Sequence, residues 1–372
     1  MSDGLDAGRA LAFYSADYFE ARERFRELSR QTGATLHSHA IAAEGPHRER
    51  LWIDAAVFGS ADASNGLVLS SGIHGLEAPF GSAVQLEWLE RWSSFVPLGL
   101  RVVLLHTLNP FGQVHGRRVN EDNVDLNRNF LSQKELYQGA PSLYARINRY
   151  LNPQKTPSKW DTWPLTLGML VTRYGKRRLF ESIPVGQYEF PLGLFFGGFA
   201  ASESTKYVQR WLPEFLGGAR NVLHIDLHTG LGKRGSVGLF LDRTAEDPLC
   251  EWFNPWKEKC RFKVASRPVT PHKPSPYATT GSFDLWTQQQ FHNRNYRFAT
   301  LEVGTESPYR ILEALRAENQ AYHFGGGSSN FRWAQERLAQ CFAPADHAWR
   351  RESLVKAANL IWEMTNNLRS LN

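Results

Sequence analysis

Two short motifs contain side chains that could bind one metal ion together. The loop SGIHGLE places His74 and Glu77 three residues apart, directly after an apolar run. His228 follows the second apolar run, VLHIDL. Catalytic zinc sites use neutral imidazole nitrogens and carboxylate oxygens, and they leave a fourth position open. The three side chains therefore predict a metal site suited to hydrolysis.

The residue types alone leave alternatives for this site. A single HxxE pair often occurs by chance, and His228 could be an ordinary hydrogen-bonded loop histidine. His224 and Asp226 compete with His228, because alternate residues of a strand share one face. We prefer His228 because it alone lies at the predicted end of its strand. A second metal ion bound by His224 or Asp226 remains an alternative.

Arginine and asparagine are concentrated between the two metal-binding motifs. Arg117 and Arg118 are adjacent, and the segment DLNRNF contains Asp125, Asn127 and Arg128. A guanidinium can bind a carboxylate through two parallel hydrogen bonds or polarise a carbonyl. Such clusters are solvated surface charges in most proteins, so a role in substrate binding depends on the neighbouring motifs.

Glu302 is a carboxylate inside an otherwise apolar strand, TLEVGT. Burying a carboxylate is unfavourable unless it is paired, bound to a metal or used in catalysis. Burial beside a cleft would also raise its pKa toward the range that suits a general base. The alternative is a structural glutamate held in a salt bridge at the end of the strand.

The elements that must position these residues are short buried strands alternating with helices. Such alternation predicts an α/β fold, with a mostly parallel mixed sheet and helices on both faces. Ligands then bind beyond the carboxyl ends of the strands, where three of the motifs lie. The predicted buried strands are Gly66–Gly72, Leu100–His106, Val222–Leu227 and Phe298–Val303; a further strand is predicted near Glu49–Val57, and helices over 16–34, Pro79–Trp92 and from about Asn330 onward.

Composition indicates a globular protein, which we expect to form one large domain over residues 1–372. The segment at about 132–216 is less regular and is predicted to be an insertion or lid. The net charge is +6, but the basic residues form no long tract, which argues against a nucleic-acid partner. No segment has the length and apolarity of a membrane helix, and we expect no membrane partner. Three cysteines without a CxxC pair and an acidic N-terminus without a signal-peptide pattern favour a cytoplasmic location.

In their order along the chain, these motifs resemble those of the zinc metallocarboxypeptidase superfamily. The series is HxxE, NPxG, an arginine followed by DLNRNF, then DLHTG, then a late glutamate in a strand, over residues 67–305. The segments FEARERF and GLFFGG are similar to a bacterial branch of unassigned substrate, related to the succinylglutamate desuccinylase/aspartoacylase group. The resemblance implies a zinc carboxypeptidase-like (phosphorylase/hydrolase-like) fold.

The resemblance also implies a role for each matched residue. It implies one zinc ion per chain, bound by His74, Glu77 and His228. Asp125 would orient His74, Arg117 or Arg118 would stabilise the oxyanion, Asn127 and Arg128 would bind a substrate carboxylate, and Glu302 would be the general base.

Two features depart from the pattern of the digestive enzymes in this superfamily. Their tyrosine over the substrate has only candidates in this sequence, Tyr277 and Tyr309. The insertion at 132–216 is foreign to them and could restrict the cleft to small amides.

Three hypotheses remain for the function. The first is a zinc-dependent hydrolase of a peptide or amide bond next to a free carboxylate, with a deacylase of small N-acyl amino acids as its variant. The second is a non-catalytic binding protein on the same fold, and the third is a chance combination of motifs. The sequence leaves the oligomeric state open.

Overall fold

A computed structural model describes residues 8–92, 99–132, 135–243, 247–264, 280–326 and 329–371. One mixed sheet of eight strands crosses the described part of the chain, in the order β1-β2-β4-β3-β5-β8-β6-β7. The strands are β1 (Thr35–Glu44), β2 (Arg50–Phe58), β3 (Asn65–Ser71), β4 (Leu100–His106), β5 (Asn221–Leu231), β6 (Val237–Leu241), β7 (Arg261–Val264) and β8 (Asn295–Glu306).

The four central strands, β4, β3, β5 and β8, are parallel. β1 and β2 join antiparallel at one edge, and β6 pairs antiparallel with β8 at the other side. Because parallel strands end at the same edge of a sheet, the loops after β3 and the last residues of β5 and β8 come together.

Helices cover both faces of the sheet. They are α1 (Tyr18–Gln31), α2 (Ala78–Trp92), α3 (Pro110–Val114), α4 (Ser142–Leu151), α5 (Trp163–Tyr174), α6 (Lys176–Ser182), α7 (Glu203–Leu216), α8 (Phe283–Gln290), α9 (Pro308–Phe324), α10 (Ser329–Phe342) and α11 (His347–Arg369). No helix within the described ranges combines the length and apolarity that a membrane span needs.

The alternation of side chains along β3 divides the core into two apolar clusters. Leu67 and Leu69 belong to the cluster that packs against α2 and α11, whereas Val68 belongs to the cluster with α7 and α8. All three residues are fully buried. A strand whose two faces are both covered consists mostly of apolar residues, which explains the apolar runs in the sequence.

The fold class predicted from the sequence is confirmed, but the strands differ in detail. β1, β6 and β7 were not predicted. The residues of β1 are mostly half-exposed or exposed and its sequence, TLHSHAIAAE, lacks an apolar run, whereas β6 and β7 are short, with five and four residues. β5 continues to Leu231, so His228 lies inside the strand and not at its end. The prediction for the strand end was wrong because His228, Thr229 and Gly230 keep their pairing with β8.

The segment predicted as an insertion contains four helices with two different roles. α4, α5 and α6 form a third apolar cluster with α9 and α10. α7 instead packs on the sheet through Leu212, Phe215 and Leu216. The first three helices therefore stand beside the carboxyl edge of the sheet, where the predicted site lies.

Candidate metal centre and active site

The loop that carries His74 and Glu77 packs closely against residues 107–112 of the same chain. Gly72 has φ +66°, and a Cβ there would lie 1.7 Å from the Thr107 Oγ1 atom. A Cβ on Gly75 would lie 2.1 Å from the backbone carbon of Gly112. Only glycine tolerates such approaches, so the small residues of SGIHGLE and NPFG allow the loop to pack on α3.

The structure brings His74, Glu77 and His228 together. His74 Nδ1 lies 2.8 Å from Glu77 Oε1, and His228 Nδ1 lies 2.9 Å from Glu77 Oε2. One ligand atom from each residue can be chosen so that all three lie within 4.8 Å of one another. The three side chains are almost fully buried. Two imidazoles and a carboxylate in this arrangement form the donor set of a catalytic zinc site.

Each histidine directs its other ring nitrogen to a buried aspartate. His74 Nε2 lies 3.2 Å from Asp125 Oδ1, and His228 Nε2 lies 2.6 Å from Asp226 Oδ2. A carboxylate in that position keeps the proton on Nε2 and leaves the Nδ1 lone pair for a metal. Asp125 therefore contacts His74, and Asp226 has the equivalent position for the second histidine.

The electrostatics of the cluster favour a bound cation. Burial alone would lower the pKa of His228, but the charges of Asp226 and Glu77 raise it well above its ordinary value. Burial would raise the pKa of Asp125, yet Arg118, His74 and Arg128 hold it well below its usual range. The carboxylates that attract a proton to the imidazoles would equally attract a metal ion. The donor set and its charge therefore fit zinc.

Glu302 lies beside the cluster on the adjacent strand. Its Cα is the register partner of His228 in the β5–β8 pair, and its Oε1 accepts a hydrogen bond of 2.7 Å from the Leu231 backbone N–H. Burial and the nearby charge of Glu77 raise the pKa of Glu302 to about 7. A carboxylate with such a pKa can both accept and release a proton near neutral pH.

The two adjacent arginines have different surroundings. Arg118 faces the site, with Nη2 2.7 Å from His74 Nε2, Nε 3.1 Å from Asp125 Oδ2 and Nη1 3.3 Å from Glu77 Oε1. Arg117 is fully buried elsewhere, where its Nε donates to Glu318 at 2.7 Å and its guanidinium lies 3.4 Å from the Tyr322 ring centroid. Of the two candidates for the oxyanion, only Arg118 contacts the side chains that could bind a metal.

The position of Arg118 has a consequence for metal binding. A metal on His74 Nδ1 requires a proton on Nε2, where the ring can then only donate, and Asp125 is its acceptor. The Arg118 N–H group beside the same nitrogen would then lose its acceptor. The contacts of Arg118 with Asp125 and Glu77 do not involve that nitrogen.

Arg128 is oriented by the chain itself. Its Nε and Nη2 donate to the Pro184 carbonyl at 2.9 and 2.6 Å, and its Nη1 donates to the Asn127 carbonyl at 2.6 Å. A guanidinium has five N–H bonds, so one on each terminal nitrogen has no partner among the described residues. Asn127 is fixed by its Oδ1, which accepts from the Phe283 N–H at 3.0 Å. Both residues line the cleft beside the metal-binding side chains.

The cleft over the cluster has a volume of about 530 Å³. Most of its wall is apolar, and the insertion supplies part of it through α6 and the residues that follow. The apolar side chains that define this wall are Phe180, Ile183, Val185, Phe195, Leu312 and Phe342. Phe180 contacts Tyr309 edge to face at 4.9 Å, which joins the insertion to α9. We call this set of side chains the apolar wall.

A second cavity of about 880 Å³ shares Asn127, Thr300 and Glu302 with the cleft. Glu302 therefore stands between the two spaces. Of the two tyrosine candidates, Tyr309 lines the cleft. Tyr277 lies outside the described residues.

Three polar residues near the centre were missed by the sequence argument. Asp226 was considered only as a competing ligand, and Ser70 and Tyr296 were not considered. His224, the other competitor, bonds Ser70 and Tyr296 and does not belong to the group of possible ligands. The sequence indicated that residues 224, 226 and 228 share one face of a strand. It did not indicate their hydrogen-bond partners Ser70 and Tyr296, which lie on β3 and β8.

Comparison with known proteins places the chain in a family. The profile of DUF2817, described as a protein of unknown function, matches residues 14–356. The chain belongs to the DUF2817 family. The matched region includes every residue of the cluster and Glu302. The search of curated proteins returned no match.

Solved structures show which fold this DUF2817 chain has. Thrombin-activatable fibrinolysis inhibitor is similar with a TM-score of 0.53 and 12% identity, over 96% of this chain and 77% of that chain. Carboxypeptidase A from Helicoverpa armigera has a TM-score of 0.47 and 13% identity, over 87% and 73% of the two chains. Murein-tripeptide amidase MpaA from Escherichia coli O157 has a TM-score of 0.37 and 16% identity, over 80% and 91%. The first likeness shows a carboxypeptidase-like fold.

Proposed function

We propose that the protein is a zinc-dependent hydrolase of a peptide or amide bond that lies next to a free carboxylate. The observation that carries this proposal is the pairing around the cluster. Both histidines present Nδ1 to Glu77 and direct Nε2 to a buried aspartate. A buried aspartate orients each of the two histidines in the same way, and this arrangement supports a metal site.

Zinc bound by His74, Glu77 and His228 would activate water and polarise the scissile carbonyl. Glu302 would take a proton from the attacking water and return it to the leaving nitrogen, since the pKa of its carboxyl is raised to about 7. Arg118 would donate its N–H groups to the oxygen on which negative charge develops.

The free carboxylate of the substrate would bind to Arg128 and Asn127. The Pro184 carbonyl holds the guanidinium on one side and leaves its outer edge for a second partner. Because the guanidinium is already oriented, less conformational entropy is lost when a carboxylate binds.

The apolar wall favours a small amide with an apolar group over a long polar peptide. Its side chains come from the insertion, from α9 and from the end of α10, and together they border a cleft of about 530 Å³. Transfer of an apolar group from water into this cleft would be favourable by about 25 cal/mol for each Å² of apolar surface that is buried. The same wall would disfavour a second carboxylate on the acyl side. An N-acyl amino acid with an aliphatic or aromatic acyl group is therefore the variant that the cleft supports best.

The test is hydrolysis of short peptides and N-acyl amino acids by the zinc-loaded protein, with products identified by mass spectrometry. The Glu302→Gln variant removes the base, and Glu313→Gln on α9 is the matched control because Glu313 pairs with Arg337 outside the cleft. Loss of C-terminal residues identifies a carboxypeptidase, and release of acyl groups identifies a deacylase.

The parent and the Glu313→Gln control should cleave the same substrates, and Glu302→Gln should not. If the parent binds zinc yet cleaves nothing that Glu302→Gln leaves intact, the catalytic proposal fails. The non-catalytic binding protein then becomes the better hypothesis.

A further inference from the structure

A row of buried hydrogen bonds continues from the metal-binding cluster into the core. Asp226 Oδ1 lies 2.6 Å from Ser70 Oγ, Ser70 Oγ lies 2.7 Å from His224 Nε2, and His224 Nδ1 lies 2.8 Å from the Tyr296 hydroxyl. At the other end, Asp226 Oδ2 contacts His228 Nε2. All five side chains are at most 3% exposed. We call these five residues the buried chain.

Neighbouring strands build the buried chain through their register. Ser70 on β3 is the direct partner of Asp226 on β5, and Tyr296 extends from β8 on the other side. His224, Asp226 and His228 point to the same face of β5, because they are two residues apart. The sheet itself therefore fixes the spacing of the polar groups.

The chemistry of the groups allows one direction of donation. The Ser70 hydroxyl donates its single hydrogen to Asp226 Oδ1 at 2.6 Å. The same Ser70 oxygen must then accept from His224 Nε2–H. With Nε2 protonated, a neutral His224 has only a lone pair at Nδ1, and the Tyr296 hydroxyl must donate to it.

The ionisation of the two outer groups agrees with this direction. Burial lowers the pKa of His224 to about 3, so the ring is neutral near pH 7. Burial raises the pKa of Tyr296 well above its ordinary value, so the hydroxyl keeps its proton. Every donor in the buried chain then points toward Asp226.

We propose that Tyr296, His224 and Ser70 are positioning residues that hold Asp226 as the acceptor of His228 Nε2–H, so that His228 presents Nδ1 to the metal. This inference rests on the metal site of the proposed function. Asp226 has two oxygens and a rotatable side chain. The Ser70 hydroxyl that donates to Oδ1 fixes which oxygen faces the histidine and where it lies. Metal affinity and ligand geometry should therefore depend on the Tyr296 hydroxyl, which is four hydrogen bonds away from His228.

Buried polar groups could also contribute to stability alone. The test must therefore distinguish a role in stability from the positioning of Asp226. Tyr296→Phe removes the hydroxyl at the far end of the buried chain. Tyr144→Phe is the matched control, because Tyr144 is also fully buried and its hydroxyl donates to the Leu194 carbonyl at 2.6 Å in the core of the insertion. Both variants should lose comparable stability to heat.

The readouts are Zn²⁺ affinity, measured by competition with a chromophoric chelator, and the visible absorption spectrum of the Co²⁺-loaded protein. We expect Tyr296→Phe to weaken zinc binding by roughly 3- to 10-fold, below or at the low end of what loss of a directly bonded outer partner causes. It should also shift the cobalt bands. Tyr144→Phe should change neither readout.

A conservative replacement provides the rescue. His224→Gln keeps an N–H donor for Ser70 and should retain more zinc affinity than His224→Leu, which has none. If His224→Leu fails to fold, Tyr296→Phe against Tyr144→Phe decides alone. Unchanged zinc affinity and an unchanged cobalt spectrum in Tyr296→Phe would overturn the proposal.

The outcome is separable from that of the hydrolysis assay. Zinc binding that depends on Tyr296 while no amide is cleaved would leave this inference standing and remove the catalytic proposal. If the parent binds no more zinc than His74→Ala, the metal site itself is wrong, and both proposals fall.

Discussion

The contrast between Arg117 and Arg118 offers the sharpest test of the site. The two residues are adjacent and chemically identical, but the structure gives them separate surroundings. Arg118 lies against His74, Asp125 and Glu77 with its side chain 14% exposed. Arg117 is fully buried and paired with Glu318. The same substitution at each position should therefore affect different properties.

Arg118→Met removes the donor that we assign to the oxyanion. Loss of one such donor lowers kcat by about 10²- to 10³-fold, or roughly 3 to 4 kcal/mol in the barrier. Arg118→Lys should recover part of the rate, because it retains the charge but not the planar fork. Zinc content, measured by atomic absorption, should stay at one ion per chain, since the three ligands remain.

Arg117→Met leaves the carboxylate of Glu318 buried without its partner, and Glu318 is only 3% exposed. Breaking a buried pair in this way costs about 3 to 5 kcal/mol. In a chain of this length, such a loss corresponds to a fall in Tm of roughly 5 °C. The kcat of the folded fraction should remain within about 3-fold of the parent value, well inside the loss expected from removing an oxyanion donor.

A paired replacement checks the physical reason for this effect. Arg117→Met combined with Glu318→Leu removes both buried charges and should recover most of the lost Tm, as apolar replacement of a buried pair often does. The measurements are thermal unfolding and steady-state kinetics on the best substrate of the hydrolysis assay. A 100-fold loss of kcat in Arg117→Met with an unchanged Tm, beside an active Arg118→Met, would refute the assignment.

Three further predictions follow from other contacts. Arg128→Lys should raise KM by about 10-fold or more for substrates with a free carboxylate, given the strength of hydrogen bonds to charged groups, and should leave KM for the corresponding C-terminal amides unchanged. Phe180→Ser opens the apolar wall beside Tyr309 and should lower kcat/KM for N-benzoyl or N-hexanoyl substrates by about 10-fold, whereas kcat/KM for the N-acetyl analogue should not change. An equal decrease in kcat/KM for all three substrates would contradict the role of the wall. Burial lowers the pKa of His106 in the folded protein to about 4. As the pH falls below about 6.5, this histidine is therefore protonated in the unfolded chain before it is protonated in the folded protein, and the free energy of unfolding decreases. The parent should lose about 2 kcal/mol more stability than His106→Gln between pH 8 and pH 5 in urea unfolding, and equal losses would show that His106 does not titrate as inferred.

The sequence alone was sufficient to predict the fold class and the buried strands next to the candidate metal ligands. β3 and β4 contain the apolar runs Leu67–Leu69 and Val102–Leu105, because strands covered on both faces are mostly apolar. The ends of such strands and the residues after them lie at one edge of the sheet. His74, Glu77 and His228 could therefore be grouped before any coordinates were known.

The roles of the arginines could not be predicted from the sequence. Arg117 and Arg118 are neighbours in a segment without helix or strand, so no periodicity indicates where each side chain points. Their directions depend on Glu318, 201 residues away from Arg117, and on His74, 44 residues away from Arg118. Partners that are distant in sequence are decided only by tertiary packing.

The residues that orient the candidate metal ligands could not be predicted from the sequence for the same reason. Residue types and strand ends indicate which groups can bind a metal, since that chemistry belongs to the side chain and to local structure. Which nitrogen of His228 faces Glu77 depends on Asp226, and Asp226 is contacted by Ser70 from β3, which is linked through His224 to Tyr296 on β8. The amino-acid sequence is enough to identify the chemistry that these side chains can perform. Their orientation comes from hydrogen bonds between strands, which depend on the register of the folded sheet.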